Sequence, residues 1–142
     1  MFAIIVGTHG NLAKEFINSC EMIFGSAKNV RAVTLMPGEG PDDLVKRYEA
    51  AIKELDTSGG VLFLNDLFGG SPFNAACRVA IQSENYGVVA GVNLAMLIEM
   101  VSLQATDEGS SIKELMQKAI EAGKNGIHGF HKSDVANDDD DL

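Results

Sequence analysis

The sequence predicts an α/β protein, a single open and mostly parallel doubly wound sheet with helices on both faces. Three observations carry that expectation. Short runs of aliphatic and β-branched residues alternate with stretches of helical period along the chain. Two of the runs, Phe2-Ala3-Ile4-Ile5-Val6 and Val61-Leu62-Phe63-Leu64, are apolar at every position, as in strands covered on both faces. Both lead into polar, glycine-rich turns, Gly7-Thr8-His9-Gly10 and Asn65-Asp66-Leu67-Phe68-Gly69-Gly70.

Taken in order, strand one runs from Phe2 to Val6 and the turn follows it. Asn11 is placed to cap a helix whose Leu12, Phe16, Ile17, Cys20, Ile23 and Phe24 share one stripe, and Gly25 stops it. Val30 to Leu35 is strand two. After the loop Met36-Pro37-Gly38-Glu39-Gly40, Pro41 suits the first position of a helix with Asp42 and Asp43 near its positive end. That helix continues through Leu44, Tyr48, Ile52 and Leu55, and strand three follows.

Ser71 is expected as the N-cap of a third helix, with Pro72 at its first position and Phe73, Ala76, Cys77, Ala80 and Ile81 facing the sheet. Tyr86 to Ala90 is strand four. Asn93 caps a fourth helix, Leu94 to Gln104, whose apolar circumference demands cover on more than one side. Ser111 to Ala122 forms a fifth helix. Gly126 to Phe130 is left as a short strand that needs a sheet edge to accept it, and strand four and the fourth helix lack cover in a monomer.

The strand order expected is 2-1-3-4, which buries the two most apolar strands in the middle and opens a crevice at the switch point between strands one and three. One domain is expected over residues 1–131, followed by a disordered acidic tail over 132–142. The tail holds five acids and one lysine, so the net charge of −9 divides into −4 there and −5 in the domain. Without a basic stripe, nucleic acid and anionic membrane are poor partners. No run reaches the length of a membrane span and no signal peptide opens the chain, so a cytoplasmic location is expected, with any membrane link only indirect. Cys20 and Cys77 lack ligand spacing and read as reduced thiols, not as a metal site.

His9 and Asp66 fall at the carboxyl ends of the two central strands and line the crevice from opposite walls. A carboxylate that accepts the Nδ1 proton of an imidazole leaves Nε2 free as a nucleophile, so Asp66 is the orienting group and His9 the reacting one. The turn at Gly10 and the helix start at Ser71 aim backbone N–H groups at an anion, Gly69 and Gly70 admit its close approach, and the hydroxyls of Thr8 and Ser71 can donate to its oxygens. That is a site for a phosphoryl group carried by His9. There is no Walker sequence and no acidic cluster for magnesium, so neither a nucleotide nor a metal cofactor is expected.

Gly7-Thr8-His9-Gly10 and Asn65-Asp66-Leu67-Phe68-Gly69-Gly70-Ser71-Pro72-Phe73-Asn74, together with Met36-Pro37-Gly38-Glu39 and Ala90-Gly91-Val92-Asn93, resemble the IIA component of the mannose-family phosphoenolpyruvate-dependent sugar phosphotransferase system. The resemblance covers residues 1 to 130. It implies that His9 accepts a phosphoryl group on Nε2 from the phosphocarrier protein HPr and passes it to a IIB component, which would here be a separate polypeptide, serving a IIC/IID transporter. It also implies that Asp66 bonds the other ring nitrogen, that Ser71 touches the phosphoryl group, and that Gly126 to Phe130 crosses to a second copy in a homodimer as an antiparallel strand. A phosphohistidine subunit of a dihydroxyacetone kinase and a non-catalytic flavodoxin-like regulatory module are the alternatives.

Overall fold

The computed structural model describes residues 1–135. Nine main elements alternate along it: β1 (Ala3–His9), α1 (Leu12–Phe24), β2 (Val30–Leu35), α2 (Pro41–Glu54), β3 (Val61–Asn65), α3 (Ser71–Ala80), β4 (Tyr86–Ala90), α4 (Leu94–Gln104) and α5 (Ile112–Asn125). The four strands form one all-parallel sheet in the order β2-β1-β3-β4, as expected.

Successive strand residues point to opposite faces, and the sequence fills both sides. Ile4, Val6, Leu62 and Leu64 pack beneath α1, α4 and α5 with Leu97, Met100 and Leu115. Ala3, Ile5, Val61 and Phe63 pack beneath α2 and α3 with Leu44, Tyr48, Ala75 and Ala76. The layers therefore number three, and the run that is apolar at every position is the one that touches both cores. α5 presses on β4 where Gly87 leaves room, since a Cβ there would stand 2.6 Å from the Met116 sulfur.

Several expectations about elements need correction. On α3 the buried residues are Pro72, Ala75, Ala76 and Val79, so of the stripe expected to face the sheet only Ala76 is fully buried and Ile81 is 87% exposed. β1 does not end at Val6 but continues to His9, because Gly7 pairs with Val33 and Asn65 and His9 with Leu35. The glycine there makes room for neighbours and does not break the strand. α4 finds its cover within the chain, between α1 and α5. Residues 126–130 form no strand, so the sheet of the described chain has no antiparallel member. Gly126 is held against Ala95 on α4, and the segment leaves from there with Ile127 and Phe130 74% and 65% exposed. A five-residue stretch without a sheet edge to accept it has no ladder to join. Lys132–Val135 make one 3₁₀ turn, and the rest of the acidic tail lies outside the described residues.

Candidate active site

The two-residue period of β1 sets the site. Counting on from Ile5 and Gly7, His9 falls on the face shared with α2 and α3, whereas Thr8 falls on the α1 face with Ile4 and Val6. His9 is the last residue of the strand and its side chain is 46% exposed; Asp66, just past the end of β3, is 11% exposed.

One carboxylate oxygen serves two donors. Asp66 Oδ2 accepts the backbone N–H of His9 at 2.9 Å and stands 2.8 Å from its ring Nδ1. The other oxygen, Oδ1, accepts the N–H of Leu67 at 2.9 Å. A carboxylate can only accept, so Nδ1 carries a proton, and in the neutral ring Nε2 is then the nitrogen with the lone pair. The backbone bond fixes where the carboxylate is, and the ring bond fixes how the imidazole turns.

Nε2 lies over the start of α3. A Cβ placed on Gly70 would stand 3.0 Å from His9 Cε1 and 3.6 Å from Nε2, so the missing side chain is what seats the ring there. Gly69 has φ +80°, the left-handed conformation that bends the loop back toward the helix. Asn74 Nδ2 donates to Gly69 O at 3.0 Å and braces the same loop from within the helix. The N–H groups of Ser71 and Phe73 make no hydrogen bond among the described residues, and with Pro72 between them they are the open donors at the positive end of α3. The result is a ring nitrogen free of protein partners facing a helix N-terminus, where a phosphoryl group would meet N–H donors and partial positive charge.

Of the residues expected around the phosphoryl group, Gly70 stands against the His9 ring with Gly69 and Ser71 as its chain neighbours, and two others serve elsewhere. Thr8 is fully buried, and its Oγ1 accepts the Ala13 N–H at 2.7 Å, so it caps α1 in place of Asn11, whose side chain makes no cap bond. Gly10, at φ +57°, turns the chain into α1 and donates its N–H to Leu35 O at 2.7 Å, leaving nothing for an anion. Ser71 is not the cap of α3 either: Gly70 holds that position, and the half-buried Ser71 hydroxyl makes no hydrogen bond among the described residues. Its freedom favours contact with a bound group.

Sequence reasoning missed the ion pair that braces the loop after β2. Glu39, in the loop after β2, is clamped by both Nη atoms of Arg47 and accepts the Met36 N–H at 2.8 Å, while Arg47 also donates to Thr34 O at 2.9 Å. The Arg47 bonds, followed by the Met36 N–H, hold the Glu39 carboxyl down to about 2. Glu39 and Arg47 are eight residues apart, one in a loop and one in a helix, a pairing no periodicity announces. No group of three or more His, Cys, Asp or Glu side chains able to hold a metal comes together among the described residues.

Residues 3–120 match the family EIIA-man, described as the PTS system fructose IIA component. The chain belongs to that family. It is 45% identical over 125 residues to the PTS system mannose-specific EIIAB component of Escherichia coli, a match covering 88% of this chain and 38% of that protein. It is 37% identical over 116 residues to the PTS system fructose-specific EIIA component of Bacillus subtilis, covering 82% of this chain and 77% of the relative. Among solved structures, the phosphotransferase system component EIIA from Streptococcus agalactiae superposes with a TM-score of 0.81 at 28% identity, over 92% of this EIIA-man chain and 98% of the other. The chain thus spans well under half the length of the E. coli mannose-specific EIIAB component that it matches. No helix among the described residues is long and apolar enough to cross a membrane.

Proposed function

We propose that this EIIA-man protein is a phosphoryl carrier of a sugar phosphotransferase system, with His9 as its phosphorylation site. The observation that carries the reading is the Nδ1 bond to Asp66, which leaves Nε2 as the ring nitrogen open to a phosphoryl group above the first turn of α3. The lone pair of Nε2 attacks the phosphorus of a phosphohistidine on HPr; the new P–N bond forms as the donor's P–N bond breaks, and the donor imidazole leaves with the electron pair. The phosphoryl oxygens lie against the Ser71 and Phe73 N–H groups and the Ser71 hydroxyl. Asp66 stabilises the positive charge that develops on the His9 ring. Transfer onward to a IIB component reverses these steps, in the cytoplasm, and couples to sugar uptake.

Intact mass after incubation with phosphoenolpyruvate, enzyme I and HPr tests the assignment. The expected result is one acid-labile phosphoryl group on the wild-type chain and none on His9→Ala. A label that persists in His9→Ala overturns it.

A further inference from the structure

Behind the reacting groups lies a buried polar chain that nothing so far has used. Tyr48, on α2, is fully buried, with its ring edge against Phe63 at a centroid distance of 5.2 Å. Its hydroxyl donates to Pro72 O at 2.8 Å. A phenol has one proton, so at the second contact, 3.1 Å from Asn65 Nδ2, it must accept. The same Nδ2 donates to Gly7 O at 2.9 Å. The amide orientation follows from those two acceptors. It leaves Asn65 Oδ1, also buried, with no hydrogen-bond partner. A lone buried acceptor is unfavourable, so this arrangement is held by what Nδ2 ties together.

We propose that Tyr48 is a positioning residue of the phosphoryl-transfer site, its hydroxyl binding the His9 strand, the strand leading into Asp66 and the first turn of α3 into one unit. The inference rests on the phosphoryl-carrier reading above. Gly7 lies two residues before His9, Asn65 directly before Asp66, and Pro72 between the two open N–H donors of α3. These are the backbone positions whose spacing decides where Nε2 stands over Gly70. Gly7 is fitted to the phenol: a Cβ there would collide with the Tyr48 hydroxyl and stand 2.8 Å from Asn65 Nδ2. Burial pushes the phenol pKa up, so the hydroxyl keeps its proton. With the hydroxyl gone, α3 is free to shift relative to β1 and β3, and small displacements between reacting groups are costly in rate.

Tyr48→Phe in the full chain is the test, because it keeps the ring in its core position and deletes only the hydrogen bonds. The ¹⁵N signals of the His9 ring in the unphosphorylated protein, the ³¹P signal of the phosphohistidine, and kcat and KM with phospho-HPr as donor are compared with wild type. Shifted His9 ring and ³¹P signals are expected, with kcat lower by about tenfold and KM changed by less than about twofold. Unchanged ring signals and kcat, whatever the loss of thermal stability, overturn the proposal. Asn65→Leu, which removes the amide and leaves the phenol, is expected to shift the same signals, and its failure to do so counts against the proposal if Tyr48→Phe does not fold. Should wild type take no phosphoryl group, the carrier reading fails, and the His9 ring signals alone decide for or against Tyr48.

Discussion

At His9 the chemistry turns on which ring nitrogen holds the proton, and Asp66 answers because both of its oxygens are already committed as acceptors. Asp66→Asn breaks that arrangement in either orientation. With the amide oxygen toward His9, the NH₂ group meets the Leu67 N–H donor; reversed, it meets both His9 donors. The variant also lacks the charge that steadies the ring as it becomes cationic. We expect a folded protein whose phosphoryl acceptance, measured by rapid quench, is slower on the order of 10²-fold. Wild-type rates would remove Asp66 from the mechanism. Gly70→Ala probes the other side of the ring. Its φ of −74° suits any residue, so the backbone should accept alanine, while the new Cβ meets His9 Cε1 at 3.0 Å. Slower transfer with a thermal midpoint close to that of wild type is the expected pair of readouts. By contrast, alanine at Gly69, with φ +80°, costs about 1 kcal/mol of backbone strain and should lower the midpoint.

Elements differ in how far the sequence announces them. β2, β3, β4, α1 and α4 lie where their patterns put them, and the 2-1-3-4 order follows from which runs are apolar at every position. The end of β1 was not legible, because a glycine in a strand reads as a stop. Only the third dimension shows that Gly7 yields space to Tyr48 and Asn65. With the strand extended to His9, parity alone assigns Thr8 to α1 and His9 to α3. The His9 and Asp66 pair was legible from two matching strand-turn signals, but Tyr48, Asn65 and Arg47 act from positions that look like ordinary core or surface. The loop after β2 gives an element-scale prediction. The Glu39 carboxyl lies at about 2 in the folded protein against an ordinary 4.5, so folding favours its ionised form. That contribution is fully present above 4.5 and is lost as pH falls toward 2. Glu39→Gln lacks it, so its thermal midpoint should start lower at neutral pH and fall less than wild type across that window. The difference will be small and salt-sensitive, because the ion pair is partly exposed. Identical pH profiles would show that the clamp contributes nothing.

On the scale of the whole molecule, two apolar cores hold the sheet from both sides and leave its carboxyl end for the site, while β2 and β4 are its edges and neither has a further strand beside it among the described residues. β4 pairs with β3 alone, so its outer backbone groups are open. Beside that edge runs a groove lined by Phe68, Phe73, Val88 and Ile120, with Phe68 84% exposed. Ile127 and Phe130, in the segment that forms no strand of its own, supply largely exposed apolar side chains. The homodimer expected from the sequence would satisfy both at once: each segment would add an antiparallel strand to β4 of the other copy and lay its apolar residues toward the groove, and two-fold symmetry would close the pair. α5 runs to Asn125 and its Gly123 O accepts from Asn93 Nδ2 at 2.9 Å, so a chain ending at Gly126 keeps that helix intact. By light scattering the full chain should be a dimer and the shortened chain a folded monomer or an aggregate. A shortened chain that remains a dimer would place the subunit contact on other surfaces, and a monomeric full chain would end the exchange hypothesis.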